Sequence, residues 1–323
     1  MRRPRFRAGM LDRRDDMKAR NSVEDIAGGI ALRIAAAGAF SVMTATLKLA
    51  SFDGVVASEM LFYRAFFGLP VVLVWVLTQP GGLAGLTTRR PWALAGRSAL
   101  GIVSILCLFQ TLTLLPLADA TTLSFTAPIF ATLLSFLILK EAVGPRRWAA
   151  VALGFIGVIV VMRPGGGEQA VPLAGLGFAL AGAVLTAGVT ITLRQLRDTE
   201  HVAAIVFWFF VASSVVGAVL LVFVGRMHSP ATFGLLVASG IAGGLAQLFM
   251  TASLRAAPVA VVAPFDYLQI VGAVVFGWWL MHATPSLNTL AGAALIAAAG
   301  LYTAWREHVR RKAALMRATA PLV

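Results

Sequence analysis

Apolar residues along this chain neither alternate nor keep to a single amphipathic stripe; they come in long runs broken by short polar punctuation. A bilayer core about 30 Å thick needs about 20 such residues per helix. Cutting the sequence at its polar and Gly/Pro-rich interruptions gives ten segments of that kind, near residues 30–50, 55–78, 93–115, 119–139, 147–163, 172–194, 202–225, 231–254, 258–281 and 287–305. The interruptions, among them "TQPGGLAGLTTRRP", "KEAVGPRR", "RPGGGEQAVP" and "GRMHSP", are short and rich in turn formers. The pattern predicts an all-α membrane protein with ten transmembrane helices.

Composition agrees: 59% of residues are apolar and 13% charged, against roughly half and a quarter in soluble domains. A net charge of +13 raises the question of nucleic acid, and its distribution answers it. Eight of the 27 basic residues lie in 1–20 and five in 306–317, with no basic, aromatic-interleaved surface between. The first apolar run is too long for the core of a signal peptide and lacks a small-residue cleavage site, so it reads as an uncleaved span. With the N-terminus inside, Arg89, Arg90, Lys140, Arg146, Arg147, Arg194, Arg197, Arg255 and the basic tail fall on the inner side, and only Arg163 and Arg226 outside. That bias predicts a cell (inner) membrane protein with both termini cytoplasmic. Cys107, the only cysteine, sits in an apolar run and has no internal partner.

The spans divide at "RPGGGEQAVP" into five and five. Five is odd, so a duplicated unit must insert upside down, as in secondary transporters that bind cargo near the midplane between inverted halves. "AGAFSVMTATLK", ending at Lys48, lies against "AVLTAGVTITLR", ending at Arg194. The expected organisation is a basic tail at 1–27, a first five-span repeat at 28–163, a linker at 164–171, a second repeat at 172–305 and a basic tail at 306–323.

The stretch "LPLADATTLSFTAPIFATLLSFLILKEAVGPRRWAAVALGFIGVIVVMRPGG" has an Ala-Asp-Ala entry, a mid-span proline, a glutamate closing its span and a Gly-x-x-Gly-Val span. It resembles the end of the EamA repeat of the drug/metabolite transporter superfamily. "SEMLFYRAFFGLP" is similar to that family's second span, and "APFDYLQIVGAVVFGWW" and "GAALIAAAGLYTAWRE" to its ninth and tenth; the resemblance spans about residues 28–307. It implies a carrier of small organic metabolites, with export slightly ahead of uptake and no cofactor. One departure is that Ala283 stands where the second repeat usually carries a glutamate, so Glu141 has no counterpart.

Sequence signals for other chemistry are sparse. The four histidines, His201, His228, His282 and His308, fall at span ends or in loops without metal-ligand spacing, so no metal site is expected. There is no phosphate-binding Gly-x-x-x-x-Gly-Lys-Ser/Thr. Two other readings remain open at this point: a membrane-embedded enzyme acting on lipid or isoprenoid substrates, and a nonenzymatic membrane scaffold. The first calls for clustered carboxylates or histidines at one surface, the second for a molecule without a central cavity.

Charges inside spans are costly and mark pathways or pairs. Arg64 and Asp266 lie at similar depth near the midplane, and opposite charges at one depth invite pairing, either as a structural bridge or as cavity residues. Tyr63, Tyr267, Gln269 and Gln110 are the accompanying polar candidates for a cavity lining. Glu59, one turn from Arg64, is an outer-mouth candidate that attracts cations or shields the arginine. Pro128 and Pro264, in corresponding spans, are hinge candidates, since each frees backbone groups that need partners. Arg33, Lys48, Arg97 and Asp119 lie nearer span ends and are expected to snorkel. The expected partners are a small-molecule substrate, the lipid bilayer and a coupling proton or other ion.

The charge bias carries a direct test. Topology-reporter fusions at Gly166 and Ser229 should read outside, and fusions at Gly144 and the C-terminus inside; reversal at any two sites would sink this architecture.

Overall fold

The computed structural model describes residues 8–79, 82–138, 140, 144–163, 171–196 and 199–318. Glu141, Arg197, most of the linker (164–170) and the chain ends lie outside them. The described residues are helical throughout, with no strand. The helices are α1 Ala8–Phe52, α2 Ala57–Thr78, α3 Pro91–Leu114, α4 Leu117–Ser124, α5 Ala127–Leu137, α6 Pro145–Met162, α7 Leu173–Leu196, α8 Val202–Val224, α9 Pro230–Ala256, α10 Val259–Val262, α11 Leu268–Met281 and α12 Leu287–Ala318.

Prolines set many of the boundaries. Pro91, Pro145 and Pro230 sit in the first turn of α3, α6 and α9, where a missing N–H costs nothing. Ser229 caps α9, its Oγ accepting from the Thr232 N–H at 3.2 Å. Pro116 forces Leu115 into extended geometry (φ −117°, ψ 155°) and so stops α3. At the other ends, Arg163 and His282 close α6 and α11 in the left-handed region, both at φ 52°.

Eight stretches are long and apolar enough to cross a membrane, from Asp25–Phe52 to Leu287–Arg306, among the described residues. The other two expected spans contain helix but fall short of that standard. In α6 the apolar part is Trp148–Met162, because Arg146 and Arg147 occupy its first turn. The ninth segment is cut by Pro258 and Pro264 into α10, a 3₁₀ turn at Ala263–Tyr267, and α11.

Five pairings dominate the packing: α1 along α9, α6 along α12, α3 along α7, α2 against α8 and α2 against α9. Small residues make the closest ones possible, since between lipid-facing helices van der Waals fit replaces the hydrophobic effect. At the α2–α9 seam a Cβ on Gly240 would meet Phe67 Cβ at 2.5 Å and the Tyr63 carbonyl at 2.8 Å. Where α6 meets α12, Gly157 and Gly292 each face the other's carbonyl, at 3.0 and 2.7 Å from the would-be Cβ.

This seam predicts a contrast between two glycines of similar secondary structure. Gly240→Ala should cost about 1–3 kcal/mol of stability through overpacking, whereas Gly38→Ala, with nothing within 4 Å of its added Cβ, should not destabilise. Thermal unfolding of the detergent-purified variants measures both.

Candidate functional site

The fourth and ninth apolar segments are broken mid-course, and the breaks create the site. Between α4 and α5 the chain turns at Phe125 and Thr126, two residues ahead of Pro128. Ser124 and Thr126 return their hydroxyls to the Thr121 and Leu123 carbonyls, both at 2.7 Å, so the break stays satisfied without water. In the ninth segment Pro264 opens the 3₁₀ turn, and Asp266 and Tyr267 lie within it. Both hinge candidates therefore sit at real interruptions. The two breaks meet, with the Phe125 and Tyr267 rings 4.9 Å apart between centroids.

Beside this crossing lies a cavity of about 220 Å³, bounded by α1, α2, α3, α4 and α11. Phe40, Leu108, Phe109 and Leu112 give it an apolar wall; Thr44, Thr121, Ser124, Gln269 and Arg64 supply its polar groups. Arg64 is 5% exposed. Its Nε donates to Met43 Sδ at 3.3 Å, and its guanidinium carbon lies 5.5 Å from the Phe210 ring centre and 6.0 Å from that of Phe109. Of the expected lining, the structure brings Arg64 and Gln269 together here.

The expected Arg64–Asp266 pair does not form. Asp266 Oδ2 instead receives Arg33 Nη2 from α1 at 2.5 Å. The reason is geometric: the 3₁₀ turn packs against α1, so the carboxylate faces that helix rather than α2. Tyr267 is a wall of the crossing, its hydroxyl occupying space that only Gly300 leaves open. Tyr63 also misses the cavity and joins Phe62, Phe67 and Phe233 in an aromatic cluster. Gln110 is half-buried and is not part of the lining.

Glu59 has a different task from the one expected at an outer mouth. It is fully buried and closes the first turn of α2 by accepting from the Val56 N–H at 3.0 Å. Its other oxygen accepts from the Arg226 N–H at 3.0 Å and lies 2.9 Å from His228 Nε2, tying down the α8–α9 loop. Glu200 does the equivalent for the α2–α3 connection, accepting from the Arg89 and Arg90 N–H groups at 3.0 and 2.9 Å. Sequence reasoning missed Glu200.

The charges expected to snorkel also turn inward. Lys48 Nζ donates at 2.7 Å to the Leu112 carbonyl, whose helical partner four residues on would be Pro116, which has no N–H. That spacing was a readable signal. Asp119 Oδ1 accepts from Thr289 Oγ1 at 2.6 Å, and its carboxylate pairs with Arg163 at 3.3 Å. Arg97 lies over the Phe209 ring at 4.6 Å, with its Nε and Nη1 buried and without hydrogen-bond partners among the described residues.

The EamA-like transporter family model matches this chain twice, over residues 27–163 and 173–305. The chain belongs to that family. It is 31% identical over 274 residues to the pseudopaline exporter of Pseudomonas aeruginosa, covering 84% of this chain and 94% of the relative. It is 30% identical to the riboflavin transporter of Rhizobium johnstonii, covering 83% and 85%, and 28% identical to the S-adenosylmethionine uptake transporter of Rickettsia conorii, covering 77% and 83%. A solved structure shares the fold with a TM-score of 0.60 at 20% identity, over 85% of this chain and 96% of that one. The molecule is thus a multi-pass membrane protein of a transporter family whose named relatives carry small molecules.

In this EamA-like chain the Arg33–Asp266 pair is a partly buried bridge, the Asp266 side chain being 28% exposed, so breaking one side should cost less than the roughly 3–5 kcal/mol of a fully buried pair. Asp266→Ala should therefore lower stability by about 2 kcal/mol, and Arg33→Met should recover most of that loss in the double variant. Arg64→Gln combined with Asp266→Ala should instead be additive. A double-mutant cycle read by thermal unfolding distinguishes the two pairings.

Proposed function

We propose that this chain is a secondary transporter that moves small organic metabolites across the cell membrane by alternating access, built from ten crossings in two inverted five-helix repeats. The repeats are residues 28–163 and 172–305, joined by the 164–171 linker, with both basic tails cytoplasmic. The observation that carries the reading is the cavity beside the crossing of the two broken segments, with lining from both halves.

The packing supports the inverted arrangement. Replacing each of the first five segments by its counterpart among the second five turns the α1–α9 contact into the α7–α3 contact, both of which are extensive. The α2–α8 and α6–α12 contacts map onto themselves. Lys140, before α6, and His282, before α12, both turn at φ 52°, and Phe125 and Tyr267 lie 15 residues before them. The shorter crossings come near the bilayer core's thickness of about 30 Å. At 1.5 Å per residue the 18 residues of α6 span about 27 Å, and α10, the 3₁₀ turn and α11 together reach about 37 Å.

The largest departure from the symmetry is that α2 packs far more extensively on α9 than its counterpart α8 does on α3. Alternating access would exchange these two seams, opening one as the other closes. The 31% identity to a protein named as an exporter favours export.

Proteoliposomes loaded with a bacterial metabolite extract should release particular solutes faster than protein-free vesicles. Ala120→Phe, which narrows the cavity, should cut that release at least tenfold while the protein still elutes as a folded species. Release unaffected by Ala120→Phe places the path elsewhere, and no release at all ends the transport reading.

A further inference from the structure

We propose that the cavity binds a small organic acid bearing a single carboxylate, with Arg64 as the anchor for that carboxylate. This rests on the transport reading and narrows its substrate class. Arg64 carries five N–H donors and keeps its charge. Its one protein hydrogen-bond acceptor among the described residues is the sulfur of Met43, a weak one. No carboxylate among them lies within ion-pair distance, because Asp266 is held by Arg33 and Glu59 by its three capping contacts.

Burying a cation without an anion is costly, and the two phenylalanine faces offset only part of that cost. The missing anion belongs to the cargo. The side chain is also held in place: a Cβ on Gly243 would lie 2.9 Å from Met43 Sδ and 3.4 Å from Arg64 Nε, so α9 leaves room for the guanidinium and little to spare. A fixed planar fork suits a carboxylate, which can accept two parallel N–H bonds.

The rest of the cavity limits the charge and size of the acid. One cation balances one negative charge, whereas a phosphate monoester near −2 would leave an excess in a dry site. The remaining polar lining is neutral, and Thr121 Oγ1, buried and without a hydrogen-bond partner among the described residues, can serve a second polar group of the cargo. No acidic side chain lines the cavity to receive an ammonium. At about 220 Å³ the space falls below the roughly 300–1,000 Å³ of pockets for drug-sized ligands, so the acid is of amino-acid size, with an apolar body facing Phe40, Leu108 and Leu112.

The test uses the full chain in lipid nanodiscs and three acids, phenylacetate, 4-methylpentanoate and 4-methyl-2-oxopentanoate, each beside its neutral amide. At least one acid should bind about tenfold or more tightly than its amide, the scale of a charge-assisted hydrogen bond. Arg64→Gln should abolish the preference and Arg64→Lys should retain part of it. The wild-type comparison of acid with amide stands even if Arg64→Gln fails to fold. If no acid exceeds its amide, if the preference survives in folded Arg64→Gln, or if phenyl phosphate binds more tightly than phenylacetate, the proposal is overturned. Counterflow in proteoliposomes separates the two levels: an acid that binds selectively but does not exchange upholds the anchor and defeats transport, while equal exchange of acid and amide defeats the anchor and upholds transport.

Discussion

Lipid offers no water to a stranded donor, acceptor or charge, and this constraint organises the molecule. At several interruptions of the backbone ladder a side chain completes it. Lys48 takes the carbonyl that Pro116 leaves without a donor, Ser124 and Thr126 return to the backbone at the fourth-segment break, and Glu59 and Glu200 gather the N–H groups of loops from the opposite half. Polar residues are few, and most of those buried have such an assignment. Against that background Arg64, with a thioether and two aromatic faces for company, stands with Arg97 as a cation that no carboxylate among the described residues meets, and of the two it is Arg64 that faces the cavity.

The sequence revealed much about depth and little about direction. Counting residues along an apolar run places a charge along the membrane normal, so the mid-span character of Arg64 and Asp266 was legible. Which neighbour a side chain faces depends on helix rotation and on breaks in the ladder, and an almost uniformly apolar segment carries no stripe from which to read rotation. Asp266 was therefore expected to meet Arg64, while the 3₁₀ turn behind Pro264 aims it at Arg33. The same limitation explains Tyr63 and Gln110, which sit on the right helices but away from the cavity. Gln269 lines the cavity, and the breaks near Pro128 and Pro264 were announced by the prolines themselves.

Span lengths were legible only where proline and arginine did not intervene. The sequence count of ten treated the ninth segment as one helix; in the structure it is two helices and a tighter turn, and α6 begins with two arginines. The irregular fourth and ninth segments also border the cavity, because a turn that departs from the α-helical repeat presents side chains at angles a straight helix cannot reach. Regular helices such as α1 and α9 form the frame, and the broken pair forms the site.

The crossed glutamate caps also bear on how the chain is made. Glu59 leaves the ribosome with its own helix, but the backbone N–H of Arg226 that it accepts lies 167 residues downstream. At a synthesis rate of roughly 5–20 residues per second, this is a delay of roughly 8–33 s during which a buried carboxylate waits for its loop. Glu200, by contrast, emerges after Arg89 and Arg90 and finds its partners already made. The partners of the two glutamates therefore become available in order: Glu200 meets Arg89 and Arg90 already made, and the set at Glu59 is complete only once the connection after α8 has been synthesised.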